Sequence, residues 1–243
     1  MLILSIGMPR AGSGWYYQLQ HDLICANGGQ DAREIRRRFH LEKILTEVNC
    51  NIGAFTPWRL LPVWLPSLLG NTYVIKAHAA PTPLASWLIR AGWIKATYIY
   101  RDPRDAMLSA YENGQRAIQN GRSNAFSQLT SFEESLEFME KYVEIGKLWL
   151  SKAEVLHTRY EDLILQYELE ADRLLKFLNI PRTAKSEEVI KKYQPQEAQR
   201  SAQAGMHFRK GKIGRFRQVY SQEQQQECWK KFAPFLKQWG YEV

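Results

Sequence analysis

Cysteine is scarce in this chain of 243 residues, with only Cys25, Cys50 and Cys228, set far apart. An odd number at such wide spacing excludes a disulfide framework, and no pair stands at the spacing of zinc ligands. A reducing compartment fits. Long apolar runs are lacking too. No stretch of about 20 apolar residues occurs, so no membrane span is expected. An apolar run begins at Leu2, which leaves no room for a basic leader and its cleavage site, and a cytoplasmic location is the expectation. Basic tracts are equally few. Lys and Arg number 33 against 25 Asp and Glu, a net charge of +8, yet Arg36-Arg37-Arg38 is the only block of three. Such a balance suits an anionic ligand, nucleic acid or an anionic membrane surface. With no zinc finger or RNA-binding signature present, nucleic acid is not expected as a partner.

What is present is an ordinary globular composition, 45% hydrophobic and 24% charged, long enough for one large domain over residues 1–243. Short β-rich runs, Leu2–Ile6, Thr72–Lys76, Ala96–Tyr100 and Val155–Tyr160, alternate with segments of helical period. Those segments are Trp15–Ala26, Pro83–Ala91, Pro103–Asn120, Phe132–Leu150, Asp162–Leu178 and Ser221–Trp239, the last with Ser221 as N-cap. The alternation predicts a single α/β domain with a mostly parallel central sheet flanked by helices. Pro195–Arg215 is polar and aperiodic and reads as a long loop that orders on binding. Phe55–Gly70 is apolar but interrupted by Pro57, Pro62 and Pro66, which a simple helix would hold only with kinks. It reads equally as a connection covering the core or as a hydrophobic lid or pocket wall.

Gly7-Met8-Pro9-Arg10-Ala11-Gly12-Ser13-Gly14-Trp15 follows the first strand directly. A Gly-rich turn between strand and helix aims several backbone N–H groups at one point, at the positive end of the helix, and so forms a phosphate cradle. A Walker A loop would end in Gly-Lys-Ser/Thr, with the lysine on the β/γ-phosphates and the hydroxyl on magnesium. Here the cation stands earlier, at Arg10, and an indole follows at Trp15. A second strand ends in Arg101, with a helix from Pro103 that carries Ser109. Ligands of open parallel sheets bind at the carboxyl ends of strands, so Arg101 is expected at the same edge as the loop. Arginine there replaces the aspartate that would hold magnesium in a P-loop ATPase, and no metal site is expected.

These segments together resemble the sulfotransferase family. Pro9 to Trp15 is similar to its 5′-phosphosulfate loop, Pro-Lys-Ser-Gly-Thr-Thr-Trp. Arg101-Asp102-Pro103-Arg104-Asp105 through Ser109-Ala110-Tyr111 resembles its 3′-phosphate segment. Tyr160-Glu161-Asp162-Leu163 and Phe208-Arg209-Lys210-Gly211-Lys212-Ile213-Gly214 resemble two further motifs, in the family's order. The resemblance implies a P-loop-like fold and 3′-phosphoadenosine 5′-phosphosulfate (PAPS) as donor, with PAP as product. It implies transfer of the sulfuryl group to a hydroxyl or amine of a small acceptor, without a metal. Donor contacts are then expected from Arg10, Ala11, Gly12, Ser13, Gly14, Trp15, Arg101, Ser109, Tyr160, Phe208, Arg209, Lys210 and Gly211, with adenine stacked on Trp15.

Lys76-Ala77-His78, just past a strand, resembles the Lys-x-His of cytosolic-type members, in which the histidine is the general base. Histidine, with an ordinary pKa of about 6.5, suits proton removal near neutral pH. Lys76 and Arg10 would neutralise charge developing on the leaving phosphate. Arg10 stands where the family has lysine and Gly14 where it has threonine. The two alternatives are a P-loop kinase-like phosphotransferase, which magnesium dependence would reveal, and a nucleotide-binding module without turnover. An apolar acceptor is suggested only by Phe55–Gly70.

Overall fold

The computed structural model describes residues 1–200 and 211–241. In chain order its elements are β1 (Leu2–Gly7), α1 (Ser13–Ala26), α2 (Ala32–Arg38), β2 (Asn51–Ile52), α3 (Pro57–Leu68), β3 (Tyr73–Ala77), α4 (Pro83–Arg90) and β4 (Ile94–Tyr100). There follow α5 (Pro103–Gln119), α6 (Phe132–Leu150), β5 (Leu156–Arg159), α7 (Tyr160–Leu165), α8 (Tyr167–Leu178), α9 (Ala184–Lys192), α10 (Pro195–Arg200), α11 (Phe216–Val219) and α12 (Gln222–Gln238). No helix among the described residues is long and apolar enough to cross a membrane.

The strands form one sheet in the order β2-β3-β1-β4-β5, with every pairing parallel. A parallel sheet covered on both faces needs strands that are apolar throughout, and β1 is buried at every position. Alternate residues of β1 and β3 feed two cores. Leu2, Leu4, Ile6, Tyr73 and Ile75 pack with α3, α4, α6 and α12. Ile3 and Val74 pack with α1, α8 and α9 on the other face. The chain enters β3 on one side of β1 and β4 on the other, so the connections diverge at the carboxyl end of β1. Such a switch point leaves a crevice where ligands bind. The register is level there: Ser5 pairs with Lys76, and Gly7 with Ile99.

Several boundaries differ from the sequence reading. The expected helix over Asp162–Leu178 is two, α7 and α8, because Gln166 leaves the helical region at φ −131°, ψ 43°. Part of the expected loop Pro195–Arg215 is helical, as α10. The two-residue β2 is too short to carry a periodic signal. Phe55–Gly70 contains a helix, α3, with Pro62 and Pro66 inside it. Pro57 sits in the first turn, where an N–H is not needed. The later prolines leave two carbonyls without their usual partners. Burial and tertiary contacts hold the helix in place: Leu60, Val63 and Pro66 are buried, Tyr73 Oη donates to Val63 O, and Asn71 Nδ2 donates to Pro66 O at 2.8 Å.

The turn from β4 into α5 is fixed by a buried ion pair. Asp102 caps α5, accepting from Arg104 N at 2.9 Å, and takes the Arg104 guanidinium through Nε at 3.0 Å and Nη2 at 2.8 Å. Glu161 Oε1 accepts from Asp102 N at 3.1 Å and ties the end of β5 to the same turn. Asp102→Ala removes both cap and carboxylate beside a buried guanidinium, and breaking a buried pair from one side costs about 3–5 kcal/mol. Urea denaturation is expected to return a loss of that order, against about 1 kcal/mol for Ser131→Ala, which removes only the cap of α6.

Candidate active site

The loop after β1 is held in an uncommon backbone form. Arg10 has φ 65° and Gly12 φ 77°, both left-handed, and Met8 N donates to Ile99 O at 2.9 Å. At Gly12 only glycine fits, since a Cβ there would lie 2.8 Å from the Tyr160 ring. Gly12 is also the N-cap of α1, so Ser13 and Gly14 open the helix with first-turn N–H groups that have no partner within it. The side chain of Arg10 donates through Nε to Ser109 Oγ at 3.2 Å, which joins the loop to α5 across the crevice.

Strand β3 brings the next two groups. Lys76 lies on the Val74 face of β3, at the carboxyl end, and is buried. Its ammonium has no hydrogen bond or ion pair among the described residues, and burial, with the charge of Arg10, lowers its pKa to about 8. His78 follows the strand. Its Nδ1 lies 2.6 Å from Gly7 O, a carbonyl that can only accept, so Nδ1 carries the proton and Nε2 the lone pair. Loss of solvation and the neighbouring Lys76 push the His78 pKa down to about 3, so the imidazole stays neutral through the physiological range.

Arg101, at the end of β4, is the hub of the opposite side. Nη1 donates to Arg10 O at 3.4 Å, and Nη2 donates to Lys212 O at 2.8 Å and to Asp105 Oδ2 at 3.3 Å. The guanidinium lies 4.3 Å from the Tyr160 ring centre. Its Nε is buried with no hydrogen-bond partner among the described residues. Asp105 also accepts from Gly214 N at 2.7 Å and Phe216 N at 3.1 Å, and thereby pins the late loop to α5. The sequence reading gave Asp105 no role, although its i, i+4 spacing from Arg101 on a helix start was a usable signal.

One cleft of about 570 Å³ is lined by Arg10, Gly12, Ser13, Gly14, Lys76, His78, Arg101, Ser109, Tyr160 and Gly211. Residues far apart in sequence are thus brought together as expected. Phe208, Arg209 and Lys210 lie outside the described residues. Two expectations are corrected. Ala11 is buried behind the loop, with N donating to Met8 O at 3.2 Å, and offers no side-chain surface to a ligand. Trp15 does not present an open face for adenine: it is fully buried, donates through Nε1 to Tyr193 O at 3.0 Å and stacks on Tyr167 at 6.1 Å. As the third residue of α1 its side chain turns into the core between α1 and α8 rather than toward the loop. The cleft is also lined by Asn49, Asn113 and Asn124 together with Phe126, Phe138 and Tyr142, and the Arg10 guanidinium lies 5.6 Å from the Phe126 ring centre. No residue of Phe55–Gly70 lines it, so that segment is no argument for an apolar acceptor.

The family model of the Sulfotransferase domain matches residues 3–240. No curated protein sequence matches the chain. Among solved structures, retinol dehydratase in a complex with retinol and PAP is similar at a TM-score of 0.64 and 16% identity, over 97% of this chain and 81% of that one. A complex of retinol dehydratase with androsterone and PAP gives 0.62 and 16%, over 97% and 80%. Mouse sulfotransferase SULT7A1 complexed with PAP gives 0.62 and 14%, over 97% and 84%. At these identities the likeness is one of fold.

The buried ammonium of Lys76 has a stability consequence. Its folded pKa lies below the 10.5 of the exposed amine, so holding it charged costs stability at neutral pH, and that cost fades as pH rises from about 8 toward 10.5. Lys76→Met is expected to raise the unfolding free energy at pH 7 by up to about 3 kcal/mol. The advantage should shrink through pH 8 to 10, as followed by urea denaturation across that range.

Proposed function

The chain belongs to the sulfotransferase family, and on that premise we propose that it transfers the sulfuryl group of PAPS to a hydroxyl of a small acceptor. In this reading His78 is the general base and no metal takes part. The observation that carries it is one cleft with two sets of anion-holding groups, joined by the Arg10–Ser109 hydrogen bond, and a neutral imidazole. The loop Arg10–Gly14 with Lys76 supplies the first. Arg101, with its unpartnered Nε, and Ser109 supply the second. A nucleotide with phosphate at both its 3′ and 5′ positions needs both.

His78 Nε2 takes the proton of the acceptor hydroxyl as its oxygen bonds to sulfur. The bond from sulfur to the bridging phosphate oxygen breaks on the far side, and its electron pair stays on PAP. Lys76 and Arg10 hold that new negative charge, in a buried setting where such a contact counts for more than in water. Gly7 O fixes the imidazole tautomer through Nδ1. The metal-free reading rests on the side chains present: β4 ends in Arg101 rather than in an aspartate, and the loop has no Lys-Ser/Thr. The wall of the cleft beyond its cationic groups combines aromatic rings with side-chain amides. This suits a small hydroxyl compound with one flat face and polar substituents better than a purely apolar alcohol.

Two measurements test this. Calorimetry is expected to find PAP bound much more tightly than AMP. Arg101→Ala should remove most of that preference, since a hydrogen bond to a charged group is worth about 1.5–3 kcal/mol. Equal affinity of the wild type for the two nucleotides would overturn the 3′-phosphate assignment. His78→Ala should lower turnover about 10²- to 10⁴-fold with PAP affinity kept. In the wild type, kcat/KM should lack an acid limb near the ordinary histidine pKa, because His78 stays neutral to about pH 3. It should fall above about pH 8, where free Lys76 loses its proton. Near-normal turnover in the His78 variant would remove it as the base.

A further inference from the structure

Gly114 stands inside α5, where glycine weakens a helix relative to alanine. Its surroundings explain it. A Cβ at this position would lie 2.0 Å from Phe126 O and 3.1 Å from Ser127 N. Glycine thus lets the loop of residues 120–131, which joins α5 to α6, rest its backbone directly on the helix. The residues on either side of Gly114 fasten the same loop. Asn124 Nδ2 donates to Asn113 Oδ1 at 2.9 Å, and Gln115 Nε2 donates to Leu129 O at 2.9 Å. Within the loop, Asn124 Oδ1 accepts from Phe126 N at 2.8 Å, and Leu129 is buried. The backbone at Phe126 is therefore fixed relative to α5 from several sides.

What this anchoring delivers is a ring beside a cation. Phe126 is half-buried and lines the cleft, and the Arg10 guanidinium lies over its ring, 5.6 Å from the centre. Phe138 meets Phe126 edge to face at 5.8 Å, and Tyr142 follows Phe138 at 4.9 Å, so the ring is backed by α6. Ser109, on α5, accepts from Arg10 Nε at 3.2 Å. Helix and loop thus hold one guanidinium by its edge and by its face. A planar cation can be covered on one face while its edge donates, which a compact ammonium at this position could not do in the same way. We propose that Phe126 is a positioning residue that sets the Arg10 guanidinium for the 5′ end of the nucleotide, with Gly114 as the seat that lets it do so. This role rests on Arg10 meeting the 5′ end of the donor, as in the proposed function.

Calorimetry of the full chain with PAP and with adenosine 3′-phosphate isolates what the 5′ phosphate contributes, without turnover. The wild type should bind PAP more tightly. Phe126→Leu should lower PAP affinity about two- to fivefold, the worth of a cation–π contact at a partly exposed site, and leave adenosine 3′-phosphate unaffected. Phe126→Tyr, which keeps a ring, should restore PAP affinity. In an Arg10→Ala background Phe126→Leu should cost nothing further, because the contact is already gone. Gly114→Ala should reproduce the loss with Phe126 itself in place, and it replaces Phe126→Leu if circular dichroism finds that variant misfolded. The proposal is overturned if Phe126→Leu, or Gly114→Ala in its stead, keeps the full preference for PAP. It is also overturned by an equal loss in the Arg10→Ala background, which would make Phe126 a packing residue only. A wild type that binds the two nucleotides equally would overturn the assignment of Arg10 to the 5′ end, and this role with it.

Discussion

The guanidinium of Arg101 is the contact on which the geometry of the cleft depends. It reaches the loop after β1 through Arg10 O, the first turns of α5 through Asp105, and the late loop through Lys212 O, while its plane covers the Tyr160 ring. Four segments separated by up to two hundred positions in sequence thus share one cation. Only a planar fork with several donors can serve them together, which a lysine at this place could not do. The remaining buried Nε–H is a donor for which the described residues supply no acceptor.

Charge at the cleft is arranged in opposition to stability. Lys76 is buried near Arg10 without a counterion among the described residues, while His78 is kept neutral by its surroundings. Of the carboxylates nearby, Asp105 pairs with Arg101 at 3.3 Å, and none pairs with Lys76 among the described residues. Asp105 also holds the late loop, and Glu112 is paired with Arg215. A folded protein tolerates such an imbalance when a ligand brings the missing negative charge, so the strain is a sign of what the site receives. The rigid parts that carry it, the buried pair of Asp102 with Arg104 and the bond from Glu161 to the same turn, lie just behind.

The same segment that looked odd in sequence, Phe55–Gly70, turned out to have two different faces. One packs on the sheet, and its burial overrides the two internal prolines. The other lies away from the cleft, exposed and free of carboxylates. Position along the helix, not composition, separates the two.

Much of this protein was legible before any coordinates. Alternating apolar runs and helical periods fixed the α/β class, because burial of a strand or a helix face imposes its period on the residues themselves. The Gly-rich loop, Arg101 with Ser109, and Lys76 with His78 could be placed at one edge because parallel strands all end on the same side. Strand order, the close approach of Tyr160 to Gly12, and the pinning of the late loop by Asp105 were decided by tertiary structure alone. So was the fate of Trp15: its motif position suggested a ligand platform, whereas packing between α1 and α8 made it core. Local spacing along a chain specifies which groups are present and toward which edge they lie, but whether a side chain meets solvent, ligand or core depends on which distant segment arrives beside it.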